Sequence, residues 1–143
     1  MAFEGGWNKV KLYFMLGLPT ETEDDMRAIA ELANKIAVRY YEIPKEERNG
    51  KCQISISTSF FVPKPFTPFQ WARMYDKDSY LGRAKVVNDA VKEQLNRKSI
   101  KYNWHEADAS VMEGILARGD RKIAQAILKA YQKGCIFDAW GEY

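Results

Sequence analysis

Three short stretches concentrate residues able to bind or react. The first is Gly17-Leu18-Pro19-Thr20-Glu21-Thr22, which runs into Glu23, Asp24 and Asp25. It lacks the glycine spacing of a phosphate cradle. Carboxylates at a helix start complement the helix dipole and repel an anion. This stretch therefore suits a cation, a hydroxyl or an amine, and it reads equally as a strand-to-helix turn with strong caps. The second is Phe60 to Trp71 (FFVPKPFTPFQW), with five aromatic residues among twelve and Lys64 between them. Pro63, Pro65 and Pro68 make it a stiff, extended loop. It is either a rim that stacks a planar group beside one cation or a cover over one end of the core. The third is His105-Glu106, where the one histidine of the chain could act as a general base or bond a helix start.

The remaining reactive types read as structural. Cys52 and Cys135 lie 83 positions apart and read as buried small apolar residues. Glu113 completes a capping box with Ser110. Arg118-Gly119-Asp120-Arg121 reads as an ion-paired corner between helices rather than an adhesive motif.

Three strand–helix units position these stretches, over about 9–40, 51–98 and 100–134, with a tail at 135–143. Lys9 to Leu18 is almost continuously apolar after Lys11, the pattern of a strand covered on both faces. Met26, Ile29, Ala30, Ala33, Ile36 and Ala37 then recur at helical spacing. Thr20 with Glu23, or Thr22 with Asp25, caps that helix. Gln53 to Ser59 alternates, with Ile54, Ile56 and Thr58 on one face and Ser55, Ser57 and Ser59 on the other. Tyr80 to Lys98 forms a second helix with Leu81, Ala84, Val87, Val91 and Leu95 on its stripe. Ile100 to His105 is a third strand. A short helix begins at Ser110, and Asp120 caps another with Ile123, Ile127, Leu128 and Tyr131 as its apolar face. Gly134 ends that helix, and the tail, with Ile136, Phe137, Trp140 and Tyr143, packs back on the body. Phe3 to Trp7 reads as the end of a helix turning into the first strand.

Right-handed crossovers put the three strands in one parallel sheet. The sheet is either a small doubly wound one or a (βα)3 segment, half of a partial TIM-type β/α barrel with C-terminal helices. The serine face favours the barrel, whose interior holds small polar groups beside a ligand. In both folds ligands sit at the C-terminal ends of the strands, where the three stretches fall.

Composition bounds the possibilities. Apolar residues make up 46% and charged residues 29% of 143, a globular balance. A chain of this length buries roughly 70% of its unfolded surface. A net charge of +3 neither demands nor excludes nucleic acid. Two cysteines and one histidine leave no disulfide framework, four-cysteine zinc site or self-contained iron–sulfur site. There is no basic, apolar leader and no apolar run of membrane length, which predicts a cytoplasmic protein that does not enter membranes.

The strings resemble radical SAM enzymes. KLYFMLGLPTETEDD is similar to the fifth-strand region of that family, in which Gly-x-Pro-x-Glu-Thr follows an apolar strand; Gly17, Pro19, Glu21 and Thr22 match. FFVPKPFTPFQW resembles the sixth-strand loop of a bacterial iron–sulfur oxidoreductase subgroup, often with a cobalamin-binding domain ahead of the barrel. RGDRKIAQAILKAYQKGCIFDAW is similar to the segment after that barrel. The sequence departs at Phe66, where such relatives often carry His. The resemblance implies a partial barrel that binds a [4Fe–4S] cluster through a CxxxCxxC loop, absent here, and S-adenosylmethionine. It implies a cofactor-binding set of Met15, Gly17, Pro19, Glu21, Ser55, Ser57 and Ser59, with Met15 and Gly17 by the adenine and the serines facing the interior. Lys64, Phe66, Trp71 and His105 would form the substrate-side rim.

The expectation is thus a C-terminal half barrel, residues 1–143 as one unit, whose parent cleaves S-adenosylmethionine reductively. The piece alone would hold no cluster and would be inactive. Its partners would be the N-terminal half of the barrel or a second copy of itself. The alternative is a non-enzymatic module that grips RNA or protein with the Phe60–Trp71 loop. A complete small α/β enzyme using His105 and Glu106 is the third reading.

Overall fold

The computed structural model describes residues 3–136. The fold is α/β, in the order β1 (Lys9–Leu16), α1 (Glu23–Tyr41), β2 (Gln53–Phe60), α2 (Lys77–Glu93), β3 (Ile100–Trp104), α3 (Ala107–Arg118) and α4 (Ile123–Gln132). The strands form one parallel sheet in the consecutive order β1-β2-β3.

Registration follows the alternation of side chains. Val10, Ile54 and Ile100 share a row, as do Leu12, Ile56 and Tyr102, and Phe14, Thr58 and Trp104. This face lies under α1 and α2, which pack against each other above it. Ala30, Ala33 and Ala37 of α1 and Ala84, Val87 and Ala90 of α2 join Ile54 and Ile56 in the core. Small alanines let both helices approach the sheet closely. Thr58 is fully buried there, and its hydroxyl is hydrogen-bonded to that of Tyr102 at 2.9 Å.

Among the described residues, no helix lies over the opposite face. Its rows are Lys9 with Gln53, then Lys11, Ser55 and Lys101, then Tyr13, Ser57 and Asn103, then Met15 and Ser59. Tyr13 is 69% and Met15 44% exposed. The expectation that β1 is covered on both faces is therefore corrected. Lys9, Lys11, Tyr13 and Met15 alternate with Val10, Leu12, Phe14 and Leu16, and only the second set turns toward the helices.

The caps set the helix bounds. Thr22 Oγ1 accepts from Asp25 N at 3.2 Å, and the Asp25 carboxylate accepts from Thr22 N at 2.8 Å. The reciprocal box is thus Thr22–Asp25, while Thr20, at φ 69°, lies in the turn before it. Asp76 caps α2 through Ser79 N, so α2 starts before Tyr80 and ends at Glu93. Leu95 falls outside it and is 88% exposed. The third unit also departs from expectation. α3 starts at Ala107, placing Ser110 in its first turn with its hydroxyl donating to Glu106 O. Glu113 pairs with Lys64 instead of completing a box. Asp120 accepts from Lys122 N at the start of α4, and Gly134 takes the left-handed conformation (φ 85°) past its end. Ile127, Leu128 and Tyr131 are all exposed.

Cys52 is buried, whereas Cys135 is only half-buried. Phe3 to Gly6 form a turn closed by Gly6 N on Phe3 O, and the Phe3 ring meets Tyr40 edge-on. Of the tail, Phe137, Trp140 and Tyr143 lie outside the described residues. No helix among the described residues is long and apolar enough to cross a membrane.

Candidate functional site

Three loops leave the C-terminal ends of the strands side by side. The β1 loop is held shut by Glu21. Both its carboxylate oxygens accept from Gly17 N, at 2.9 and 3.0 Å, and Arg83 Nε of α2 donates to one of them at 3.1 Å. The Glu21 side chain is only 7% exposed. The Arg83 guanidinium lies 3.7 Å from the centroid of the Tyr75 ring, which meets Tyr80 edge-on. Gly17 sits at φ 87°, and a Cβ there would lie 3.0 Å from the Tyr80 ring. Left-handed backbone and a ring in contact together explain a glycine at this position. Glu21 and Gly17 therefore shape the loop, and the Gly17 N–H is already engaged.

A cavity of about 410 Å³ opens between the free edge of β1 and α1, lined by Phe14, Met15, Leu18, Pro19, Glu21 and Leu32 among others. It brings together Met15, Pro19 and Glu21 of the expected cofactor-binding set. Ser55, Ser57 and Ser59 lie on the open sheet face beside Met15, half-buried. The expected set thus divides between an apolar pocket at the sheet edge and a hydroxylic floor.

The loop after β2 divides in the same way. Phe61 and Pro63 are buried, and Tyr80 OH donates to Phe61 O. Phe60 stacks on Tyr80 with centroids 4.6 Å apart. Further on, Phe66 is 99% and Trp71 86% exposed. Phe66 takes φ 63°, a left-handed conformation held by Gln70 Oε1, which accepts from Phe66 N at 3.2 Å. Lys64 Nζ is 2.6 Å from Glu113 of α3, which ties the loop to that helix. The loop is accordingly a cover at its root and exposed at its tip.

His105 is exposed, and its backbone N donates to Thr58 O at 3.0 Å, extending the β2–β3 ladder. It borders a broad depression with Glu106, Ser110, Met112 and Glu113.

Ionisation reflects burial. Tyr102 is pushed up to about 12 by its removal from water, against the lowering effect of the Thr58 hydroxyl. Burial also pushes the Cys52 thiol, part of the core, above the usual cysteine value. The hydrogen bonds from Thr22 hold Asp25 below the usual aspartate value.

Sequence reasoning missed Lys9, Lys11, Tyr13, Lys101 and Asn103 on the open face, and the Arg83–Tyr75 contact. The signal for the first three was present in KVKLYFML, where Lys, Lys, Tyr and Met recur at every second position. Nothing local in the sequence marks Arg83.

No family model and no solved structure matches the chain. An uncharacterized protein of Methanocaldococcus jannaschii is 30% identical over 125 residues, which is 87% of this chain. The chain spans only 24% of that relative's length.

Proposed function

We propose that this chain forms the C-terminal wall of a radical SAM barrel and supplies part of the surface that binds S-adenosylmethionine and substrate. The observation that carries the reading is the sheet itself. Three consecutive parallel strands have both crossover helices on one side and Ser55, Ser57, Ser59 and Met15 on the other. A barrel wall needs that arrangement, whereas a doubly wound sheet reverses its order to put helices on both faces.

The fit to the implied groups is partial. Two cysteines, one of them buried beneath the helices, do not make a ligand set for a [4Fe–4S] cluster, and no step through it is assigned to these residues. The donor set for an adenosyl group is better. Met15 and the neighbouring cavity offer apolar surface for a planar base, and the serine hydroxyls offer donors and acceptors for ribose or carboxylate oxygens. S-adenosylmethionine supplies a 5′-deoxyadenosyl radical when reductively cleaved. The chain's part is to bind and orient. Glu21 holds the Gly17 turn, and the loop after β2 exposes the Phe66 and Trp71 rings.

The test is anaerobic reconstitution of the whole parent polypeptide, followed by assay for 5′-deoxyadenosine with a chemical reductant. Product from the parent and no stoichiometric iron or sulfide on the 143-residue chain are expected. A parent lacking a CxxxCxxC loop and yielding no 5′-deoxyadenosine sinks the reading. The exposed Phe66 and Trp71 rings support a second one, a module that stacks RNA bases or grips a protein. RNA binding that falls steeply with salt and is lost in Trp71→Ala would favour it.

A further inference from the structure

The open face of the sheet is charged at one end and neutral at the other. Lys11 and Lys101 flank Ser55 in a single row, and Lys9 lies one row toward the strand starts. Neighbouring strands are about 4.8 Å apart, so the ammonium groups of Lys11 and Lys101 can reach a common point above Ser55. No Asp or Glu occupies any position on this face of the three strands. None of the three lysines has an ion-pair partner among the described residues. Lys11 Nζ instead lies 5.0 Å from the centroid of the Tyr13 ring.

Both edge strands, β1 and β3, also have one side without a strand partner among the described residues. We propose that this face is closed by further β-strands of a longer parent polypeptide, whose inward side chains set carboxylates against Lys9, Lys11 and Lys101. The proposal rests on the barrel reading above and adds the chemistry of the missing wall. Three arguments select this occupant. Lysines enclosed in a barrel need counter-charges, because an unpaired buried ammonium is prohibitively costly. A second copy of this chain laid face to face brings no carboxylate on that face, so in any orientation it would leave the lysines without counter-charges, which disfavours it as the cover. The matched relative has about three-quarters of its length outside the aligned region, ample chain for additional strands. The carboxylates belong at the strand-start end, which leaves the serine and Met15 end clear for a ligand.

The experiment divides the parent into two co-expressed polypeptides, this chain and all that precedes it, and measures their association by titration at low and high salt. Tight association, weakened by salt, is expected for the native chain. Lys11→Glu with Lys101→Glu should weaken it roughly a hundredfold, as like charges are brought together. The Lys11→Gln, Lys101→Gln pair should fall between. These side chains are exposed in the isolated chain, so circular dichroism of each variant alone should be unchanged and separates lost docking from lost folding. Association indifferent to both double substitutions overturns the proposal. So does a reading frame that begins at Met1, or a chain that associates only with itself. Lysine-dependent association without 5′-deoxyadenosine would leave the docking intact and remove the enzymatic reading. 5′-Deoxyadenosine from halves that ignore lysine charge would do the reverse.

Discussion

The two faces of one sheet obey opposite rules. Toward α1 and α2, β2 presents Ile54, Ile56 and Thr58, sealed from water and joined to the helices in one core. One residue out of phase, the same strand presents Ser55, Ser57 and Ser59 beside lysine, tyrosine and asparagine. A strand's period of two makes such a division automatic. Its lesson is that the core and the open surface are written on alternate positions of the same eight residues. Substitutions on one face should unfold the chain, and those on the other should leave it folded and change what it holds.

The largest effect expected is at Ile56, which is fully buried. Ile56→Ala should lose about 2–5 kcal/mol of unfolding free energy, whereas Ser57→Ala should stay within about 0.5 kcal/mol of the native chain. Urea unfolding of the two variants tests the contrast directly, and equal losses would abolish it. Next comes the turn that joins the faces at the end of β1. Gly17→Ala puts a Cβ on a left-handed backbone and against Tyr80, and should lose about 1–3 kcal/mol. Gly82→Ala, in α2 with open space around it, should gain up to about 1 kcal/mol. If both glycines behaved alike, the turn would not be the constraint described above. Glu21→Gln should lose about 1–2 kcal/mol, because it weakens charged hydrogen bonds to Gly17 and Arg83 in a nearly enclosed site. A Glu21→Gln, Arg83→Met double variant much less stable than the single one would show that the pair is not the main loss.

The smallest and sharpest test is optical. Tyr102, on the covered face, should ionise near 12, well after an ordinary tyrosine near 10.0. Its folded value lies above its unfolded one, so the neutral phenol's contribution to stability is complete below about 10 and declines as pH rises toward 12. Alkaline titration by ultraviolet absorbance should lose its latest component in Tyr102→Phe. Thr58→Val should push that component later still, since the Thr58 hydroxyl lowers it.

Legibility in the sequence followed locality. The Thr22–Asp25 box, the alternation of Gln53–Ser59 and the glycine after α4 are contained in a few residues, and each is found where the spacing predicts. In β1, Tyr13 and Met15 count as apolar by type yet stand on the open face, so its alternation reads as a continuous apolar run. The apolar stripe places the start of α2 too late, because Asp76, its cap, precedes the stripe's first apolar residue by several positions. Glu113 fits a capping spacing, but its carboxylate meets Lys64, 49 positions away, which no local pattern encodes. Within the candidate site, the common face of Ser55, Ser57 and Ser59 is legible from alternation, whereas only the family resemblance singles out Met15 and Pro19. The role of Glu21 is legible from neither, because it depends on Arg83 from the next unit.

The lysines have one more consequence, for the chain in solution. Parallel strands with free edges are templates on which further strands can add, the geometry of fibril growth. Here a cation stands on each of the two outermost strands, Lys9 and Lys11 on one and Lys101 on the other. Copies stacking edge to edge would align these cations at close intervals and repel one another. The same side chains thus act as gatekeepers against polymerisation, and the protection they give weakens as dissolved salt shortens the reach of each charge.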